Sequence, residues 1–260
     1  RPDWVHVAPV PDRYRGLIRG DGDDVGAAYA LELATTVGEA CAAGRSIAAF
    51  FAEPILSCGG QIPLPSGYLA AAFKHVRNAG GLCVADEVQV GFGRVGDAFW
   101  GFELDAADGG DAVVPDIVVM GKPIGNGHPM GAVVTTRAIA DAFANGMEFF
   151  STFGGNPVSC AVGRTVLEVI DDEALQSRAA TLGRRFLEGL RDLQARHESI
   201  GDVRGRGLFL GIEFVRDRTS RVPAADVADT VVQSMKRNGV LLSTDGPAHN
   251  VIKIKPPMVI

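Results

Sequence analysis

The sequence predicts an α/β fold in which helices cover a mainly parallel β-sheet over residues 1–170, followed by a smaller α+β unit over residues 171–260. In the first part, short apolar stretches alternate with amphipathic stretches of helical length, as is typical of parallel sheets covered by helices. The second part begins with a long amphipathic stretch and continues with shorter strand-like and helical stretches. The chain shows no internal repeat and no low-complexity tract.

The elements of the first part follow from its apolar stretches and its helix-capping residues. Helices are predicted over residues 24–43 and 66–81, each after a residue type that caps helix N-termini and before a glycine. A third helix begins at Asn156 and Pro157 and extends to about Ile170, because proline at the first helical position loses no hydrogen bond. Four short apolar stretches are predicted to be strands: SIAAFFAEP, LCVADEV, PDIVVMGK and GAVVTT.

The elements of the second part follow from a change in periodicity. A long amphipathic helix is predicted over residues 172–197, where apolar residues recur at intervals of three and four: Leu175, Ala179, Leu182, Phe186, Leu190 and Leu193. A further helix is predicted over residues 224–238, since Asn238 and Gly239 end it. Two strands, LFLGIEFV and VIKIKP, complete this unit.

Composition and charge exclude several classes of protein. The net charge of −6 gives no overall basic field, so we expect neither nucleic acid nor a membrane surface as a partner. No apolar stretch reaches the roughly 20 residues that a membrane helix needs. Four cysteines lie far apart without zinc-ligand spacing, so we predict no metal site and reduced thiols in a cytoplasmic protein: Cys41, Cys58, Cys83 and Cys160.

Charged residues close three of the predicted strands, at Glu53, Asp86 and Lys122. Ligands of parallel sheets bind at the carboxyl ends of the strands, so all three are candidate site residues. Each taken singly also fits a helix cap or a solvated loop charge, but three on neighbouring strands favour a common site. Asp86 and Glu87 cannot easily share one ion, because adjacent strand residues point to opposite faces.

Lys122 stands between an apolar strand and a glycine-rich loop, in IVVMGKPIGNGHPMGA. A phosphate-binding P-loop would need GxxxxGK followed by serine or threonine, whereas Pro123 follows here and the upstream glycine is absent. A strand-end lysine removed from water can instead form a Schiff base with a carbonyl compound. An aspartate such as Asp86 can accept a hydrogen bond from a protonated pyridine nitrogen. Together they match what a protein contributes to pyridoxal phosphate chemistry.

Three motifs, VADEVQVGFGR, DIVVMGK and STFGGNP, together resemble the signature of the class III pyridoxal-phosphate-dependent aminotransferases of fold type I. The resemblance implies a cofactor-binding large domain over residues 1–170 and a small domain over residues 171–260. It also implies pyridoxal 5'-phosphate as cofactor and a homodimer with the cofactor site at the subunit interface.

The resemblance implies a role for each matching residue of this chain. Lys122 matches the Schiff-base lysine, and Asp86 matches the partner of the pyridine nitrogen. Gln89 matches the residue near the cofactor's phenolic oxygen, and Thr152 matches the threonine that reaches the cofactor phosphate of the other subunit. Glu53 matches the glutamate that ends the preceding strand, close to Asp86.

Longer stretches, among them AEPILSCGGQIPLP and LLSTDGPAHNVIKIKPPM, resemble the phospho-lyase branch of this family more than ordinary transaminases. That branch comprises the ethanolamine-phosphate and 5-phosphohydroxylysine phospho-lyases. Arg204 matches a substrate-pocket arginine, and Cys58 stands where many transaminases place a glutamate that pairs with it. Without that carboxylate Arg204 is predicted to hold a substrate phosphate, the alternative being that it pairs with another acid. His128 is predicted to donate to that phosphate or to shuttle a proton, unless it is a structural loop residue.

The activity implied by the resemblance is elimination of phosphate from a small phosphorylated primary amine such as phosphoethanolamine, giving an aldehyde, ammonia and phosphate. One alternative is an ω-aminotransferase that passes the amino group to a keto acid. Another is an inactive piece of a longer chain, because the family's Ser-Gly turn around the cofactor phosphate is not found before Glu53. The last helix and strand of the small domain are also expected beyond Ile260.

Overall fold

The computed structural model describes residues 1–260, which form seven α-helices and ten β-strands. The helices are α1 (Val25–Ala42), α2 (Tyr68–Asn78), α3 (Leu104–Ala107), α4 (Arg137–Phe143), α5 (Pro157–Asp172), α6 (Leu175–Arg196) and α7 (Ala225–Arg237). The strands are β1 (Ala49–Ala52), β2 (Ile55–Leu56), β3 (Ile62–Pro63), β4 (Leu82–Asp86), β5 (Ile117–Met120), β6 (Ala132–Thr135), β7 (Ile200–Arg206), β8 (Phe209–Phe214), β9 (Ser243–Asp245) and β10 (Val251–Ile254). None of the helices combines the length and the apolar character that crossing a bilayer requires.

The first sheet has the strand order β1-β4-β5-β6. Its two pairs β1/β4 and β4/β5 are parallel, and only β6 runs antiparallel to β5. Strand β4 lies in the middle of this arrangement, and Cys83, Val84 and Ala85 are buried, as expected for a central strand of a helix-covered sheet. The prediction of a mainly parallel α/β sheet is therefore confirmed.

Helices α1 and α2 pack against each other and form the core beside this sheet. Their buried faces are built from aromatic and aliphatic residues, including Tyr29, Leu33, Leu69 and Phe73. These residues recur at helical spacing, so one stripe of each helix is apolar and is removed from water. The core thereby fixes β1 and β4, and with them the residues at the ends of these strands.

The second sheet is antiparallel throughout, in the order β7-β8-β10-β9. Every residue of β8 is buried, and α6 and α7 cover the sheet through a core that includes Leu190, Ile212 and Ile252. Gly183 of α6 meets the β7–β8 turn so closely that a Cβ atom there would lie 2.3 Å from the Gly207 carbonyl oxygen. Only glycine permits this approach of helix to turn.

Some elements differ from the sequence prediction. The strand predicted at SIAAFFAEP is confined to Ala49–Ala52, and the long helix begins at Leu175, after Ala174 with a φ of 49° interrupts the path from α5. Strand β7 was not predicted, because IGDVRGR carries charges and glycines rather than an apolar run. It forms because β8 offers its backbone groups in register, with Val203 opposite Ile212.

Candidate active site

The sheet brings the three predicted strand-end residues to one edge. Asp86 is the last residue of β4 and lies opposite Val119 of β5, and Lys122 follows Val119 by three positions. Glu53 directly follows β1, whose last residue, Ala52, pairs with β4. Because β1, β4 and β5 are adjacent and parallel, these side chains begin at the same carboxyl edge, where ligands of such sheets bind.

Lys122 lies at a sharp turn in the backbone. Its φ of 37° is in the left-handed region, which costs a residue with a side chain of the order of 1–2 kcal/mol. Gly121 precedes it in extended conformation, and Pro123 follows within a short 3₁₀ helix, Lys122–Gly125. The lysine is exposed in this single chain, so the predicted removal of the amine from water is not seen here. Its amine forms no hydrogen bond or ion pair within the chain.

Asp86 keeps most of its accepting capacity free. Its Oδ1 accepts a hydrogen bond of 3.0 Å from the Val88 amide, and Oδ2 has no partner in the chain. Asp86 and Glu53 line the same cavity of about 890 Å³, whereas Lys122 lines a separate cavity of about 440 Å³. Glu53 is engaged by Ser57, whose amide donates to Oε2 at 3.1 Å and whose hydroxyl also donates to it.

Glu87 points away from Asp86, as the alternation of strand residues predicts. Its side chain is completely buried and accepts hydrogen bonds from the amides of Gly101 at 2.8 Å and Phe102 at 2.9 Å. Burial raises the pKa of Glu87 to about 7, although these two hydrogen bonds act in the opposite direction. Glu87 therefore anchors the loop after β4 and does not contribute to the Asp86 site.

Gln89 contacts a residue that the sequence reasoning missed. Its Oε1 accepts a hydrogen bond from Lys255 Nζ, and Lys255 lies in the same cavity as Lys122. Burial, followed by the like charges of Arg94 and Lys122, lowers the pKa of Lys255 to about 7. The sequence carried only a weak signal for Lys255. Lys253 and Lys255 are two positions apart in KIKPP and therefore share one face of β10 and the residues that follow it.

Thr152 precedes α5 in the chain, and His128 contacts the first turn of that helix. Thr152 is exposed and has no side-chain hydrogen bond in the chain. His128 Nε2 forms a hydrogen bond of 2.8 Å with Ser159 Oγ. Asn156 caps α5 by accepting from the Ser159 amide at 3.0 Å. The ring of His128 thus connects the loop after Lys122 to α5.

The expectation that Arg204 lacks a carboxylate partner is wrong. Its Nη1 lies 2.7 Å from Asp202 Oδ2, and its Nη2 lies 2.8 Å from Glu213 Oε2. Nε and Nη2 also donate to the Gly60 carbonyl at 2.9 and 2.7 Å. Burial alone would lower the pKa of Arg204, but the two carboxylates outweigh it and raise the pKa. The sequence comparison at Cys58 missed both acids because they come from β7 and β8.

The N-terminal segment joins the same buried network. Arg15 Nε lies 2.9 Å from Asp12 Oδ2 and 3.3 Å from Glu213 Oε2, and Arg15 Nη2 donates to Gly59 O at 3.0 Å. Tyr14 packs under the guanidinium of Arg221, 4.5 Å from the ring centroid. These contacts give residues 11–16, PDRYRG, a structural role, because they attach this stretch to the second sheet.

Comparison with known proteins decides the family. The model of the class III aminotransferases matches residues 5–260, which is nearly the whole chain. The chain belongs to the class III aminotransferases. The chain is also 52% identical over 263 residues to an alanine–glyoxylate aminotransferase 2-like protein of Drosophila melanogaster, covering 99% of this chain and 52% of that protein. It is 43% identical over 268 residues to ethanolamine-phosphate phospho-lyase homolog 1 of Caenorhabditis elegans, covering 99% of this chain and 56% of that protein.

Solved structures of similar enzymes share the fold. A phospholyase from Arthrobacter in complex with phosphoethanolamine aligns with a TM-score of 0.87 at 40% identity, over 96% of this chain and 58% of that chain. An amine transaminase from an uncultivated Pseudomonas species, solved with pyridoxal phosphate, aligns with a TM-score of 0.84 at 31% identity, over 96% and 56% of the two chains. The fold is therefore fold type I, and the chain spans little more than half the length of these relatives.

The cofactor of this class III family is pyridoxal phosphate. The free groups of Asp86 and Lys122 fit its chemistry, although the two side chains line different cavities in this chain. Asp86 offers an unpartnered carboxylate oxygen for a ring N–H, and Lys122 offers an unpaired primary amine for the aldehyde. Both lie at the carboxyl ends of adjacent parallel strands. Gln89 also lies beyond the end of β4. Its side chain accepts a hydrogen bond from Lys255, which lines the same cavity as Lys122.

Proposed function

We propose that the protein carrying this chain is a phospho-lyase that acts on a small phosphorylated primary amine such as phosphoethanolamine. The observation that carries the proposal is the likeness to the Arthrobacter phospholyase in complex with phosphoethanolamine, with 40% identity over 96% of the chain. The basic surroundings of Lys122 agree with a phosphorylated substrate, since Arg94 and Lys255 line its cavity and no acid does.

The proposed mechanism assigns one task to each of two residues. Bound pyridoxal phosphate would supply an electron-accepting ring. Lys122 Nζ would hold the cofactor covalently, and with substrate bound the free Lys122 amine would take the proton from the carbon that bears nitrogen. Asp86 Oδ2 would accept a hydrogen bond from the ring N–H and would keep that nitrogen protonated.

Proton removal by Lys122 is followed by loss of the leaving group. The electron pair of the broken C–H bond forms a new C–C π bond while phosphate departs from the adjacent carbon with the electrons of its C–O bond. Water then completes the reaction, so that phosphoethanolamine and water give acetaldehyde, ammonia and phosphate. No oxidant, reductant or keto acid enters this balance.

An aminotransferase activity is the second candidate, favoured by the 52% identity to the Drosophila protein. The same Lys122 would then return its proton instead of allowing phosphate to leave. The two activities differ in their need for an acceptor. Purified protein, loaded with cofactor and given phosphoethanolamine alone, should release phosphate and acetaldehyde in equal amounts. Strict dependence on an added keto acid would show the lyase proposal to be wrong.

Assembly of the cofactor site in this 260-residue chain is tested separately from turnover. We expect the chain to develop the visible absorbance of a Schiff base on addition of pyridoxal phosphate, and Lys122→Ala to abolish it. Lys74→Ala is the matched control, because Lys74 is exposed on α2 away from the sheet edge. A chain that shows no such absorbance would support the third reading, an inactive piece of a longer enzyme.

We also propose a homodimer in which Thr152 reaches the cofactor phosphate of the partner. Support comes from the exposed aromatic residues around Thr152: Phe149 is 75% exposed, Phe150 76% and Phe153 80%. Exposed apolar patches of this kind commonly mark protein contacts.

Two further proposals remain to be tested: a division into domains at residues 170 and 171, by limited proteolysis, and a cytoplasmic location, by cell fractionation.

A further inference from the structure

Three basic side chains line the cavity beside the candidate active site: Lys122, Arg94 and Lys255. The cavity has a volume of about 440 Å³, and the rest of its wall is apolar or uncharged. No aspartate or glutamate lines it. An excess of positive charge against apolar walls concentrates the electrostatic field and attracts anions.

Arg94 carries a partly buried charge without a counter-ion. Its Nη1 donates to the carbonyl oxygens of Leu208 at 3.1 Å and Pro256 at 2.9 Å, while its Nε is buried without any hydrogen-bond partner. Arg94 forms no salt bridge in the chain, and burial lowers the pKa of Arg94 to about 10. Buried charges are normally paired because removing them from water is costly. An anionic ligand would supply the missing charge.

Lys255 is in a similar position. Its Nζ donates to the neutral Oε1 of Gln89 and lies 5.1 Å from the ring centroid of Phe209, but no carboxylate forms a salt bridge with it. Burial is the largest cause of its lowered pKa of about 7, and the charges of Arg94 and Lys122 add to it. A bound anion would reverse these effects and favour the charged ammonium.

Two neutral hydrogen-bonding side chains complete the wall. Asn126 and Thr165 both line the cavity, and neither side chain has a hydrogen bond within the chain. An amide and a hydroxyl add donors for the oxygens of an anion without adding negative charge. The combination suits a compact dianion with several acceptor oxygens.

We propose that this cavity is a phosphate subsite in which Lys255 and Arg94 bind the phosphate monoester of the substrate beside the Lys122 amine. The identity of the ligand rests on the proposed lyase function, whereas the preference for a phosphate does not. The phosphate monoester has two sources, because the cofactor carries one as well. The hydrogen bond between Lys255 and Gln89 favours the substrate phosphate. On the cofactor ring, the phenolic oxygen that Gln89 is expected to approach lies on one side of the aldehyde, and the phosphate arm lies on the other. A cation beside Gln89 is therefore on the side away from the cofactor phosphate.

The test measures binding of inorganic phosphate to the cofactor-loaded protein by titration calorimetry. Lys255→Met removes the ammonium but keeps the apolar stem, and we expect it to raise the Kd by about tenfold or more, the usual loss for one charge-assisted hydrogen bond. Lys255→Arg keeps the positive charge and should raise the Kd less than Lys255→Met does. Lys74→Met removes an exposed lysine and should leave the Kd unchanged. Equal denaturation midpoints exclude misfolding, and an unchanged Kd in Lys255→Met overturns the proposal.

A second arm distinguishes the two phosphates and separates this inference from the proposed function. The subsite belongs to the cofactor, and the substrate assignment is wrong, if two results are found. Lys255→Met weakens binding of pyridoxal phosphate but not of pyridoxal, and the parent protein binds no inorganic phosphate once it is loaded with cofactor. Phosphate binding that depends on Lys255 without any turnover would refute the lyase function and support the subsite. Turnover of phosphoethanolamine by Lys255→Met with an unchanged KM would support the lyase function and refute the subsite.

Discussion

Arg204 is predicted to stabilise the fold rather than bind substrate, and Arg204→Met separates the two roles. In the parent protein the guanidinium connects three parts of the chain, through Glu213, Asp202 and the carbonyl of Gly60. The arginine side chain is only 9% exposed and that of Glu213 is 0% exposed. Methionine fills a similar length with an apolar chain but leaves Glu213 with one cation fewer.

The size of the effect follows from what remains around Glu213. Removing one partner of a buried ion pair costs about 3–5 kcal/mol, because the other charge is left uncompensated. Arg15 stays 3.3 Å from the same carboxylate oxygen, and Asp202 is 25% exposed and can be hydrated. We therefore expect a loss at the low end of that range, about 3 kcal/mol in the free energy of unfolding.

Urea denaturation of the parent, Arg204→Met, Glu213→Gln and the double variant measures this directly. The double variant should lose less stability than the sum of the single variants, with a coupling energy of about 1–3 kcal/mol. The KM for phosphoethanolamine, measured where Arg204→Met is folded, should stay near that of the parent. A stability loss under about 1 kcal/mol, together with a large rise in KM, would refute the structural role and return Arg204 to the substrate.

Three other predictions concern single side chains. Gly183→Ala should lower the free energy of unfolding by about 2 kcal/mol or more, because the new Cβ meets the Gly207 carbonyl at 2.3 Å. The control in the same helix is Gly189→Ala, whose new Cβ would meet nothing within 4 Å and should stabilise the protein by about 0.5–1 kcal/mol. Equal changes in the free energy of unfolding for the two variants would contradict the close packing at Gly183. Because the pKa of Glu87 is raised from 4.5 to about 7, its folded form holds a proton more tightly than the unfolded chain, so stability should fall as pH rises from 4.5 to about 7. Glu87→Gln should remove that part of the slope, and an unchanged slope would argue against a buried carboxyl. Phe150→Lys should shift the protein from dimer to monomer in sedimentation, since its 76% exposed ring lies in the proposed interface; an unaltered mass would exclude this ring from the contact.

Local sequence signals identified most of the regular structure. The strands β4, β5, β6, β8 and β10 were each found from a short apolar run, and the long helices from their periodicity. Strand β7 was missed because its order comes from pairing with β8 rather than from its own residues. The short helix α4 and the small strands β2, β3 and β9 were missed as well, since short elements carry little periodic signal.

The candidate site divides in the same way. Lys122 and Asp86 were found because each closes an apolar strand, and parallel neighbours bring such positions together whatever the rest of the fold does. The hydrogen-bond and ion-pair partners of Gln89 and Arg204 could not be predicted from neighbouring residues in the sequence. Lys255 is 166 positions from Gln89, and the carboxylate of Glu213 lies on a strand antiparallel to that of Arg204.

The family, the parallel sheet, and the positions of an amine and a carboxylate at the ends of adjacent strands can all be predicted from the amino-acid sequence. These features depend on local propensity and on motifs within a few residues of each other. The tertiary structure alone decided that Arg204 is held by buried acids, that His128 joins Ser159, and that Lys255 and Arg94 share a cavity with Lys122. Charge pairing and burial depend on which distant segments pack together, and a side chain's own neighbours in sequence do not specify that.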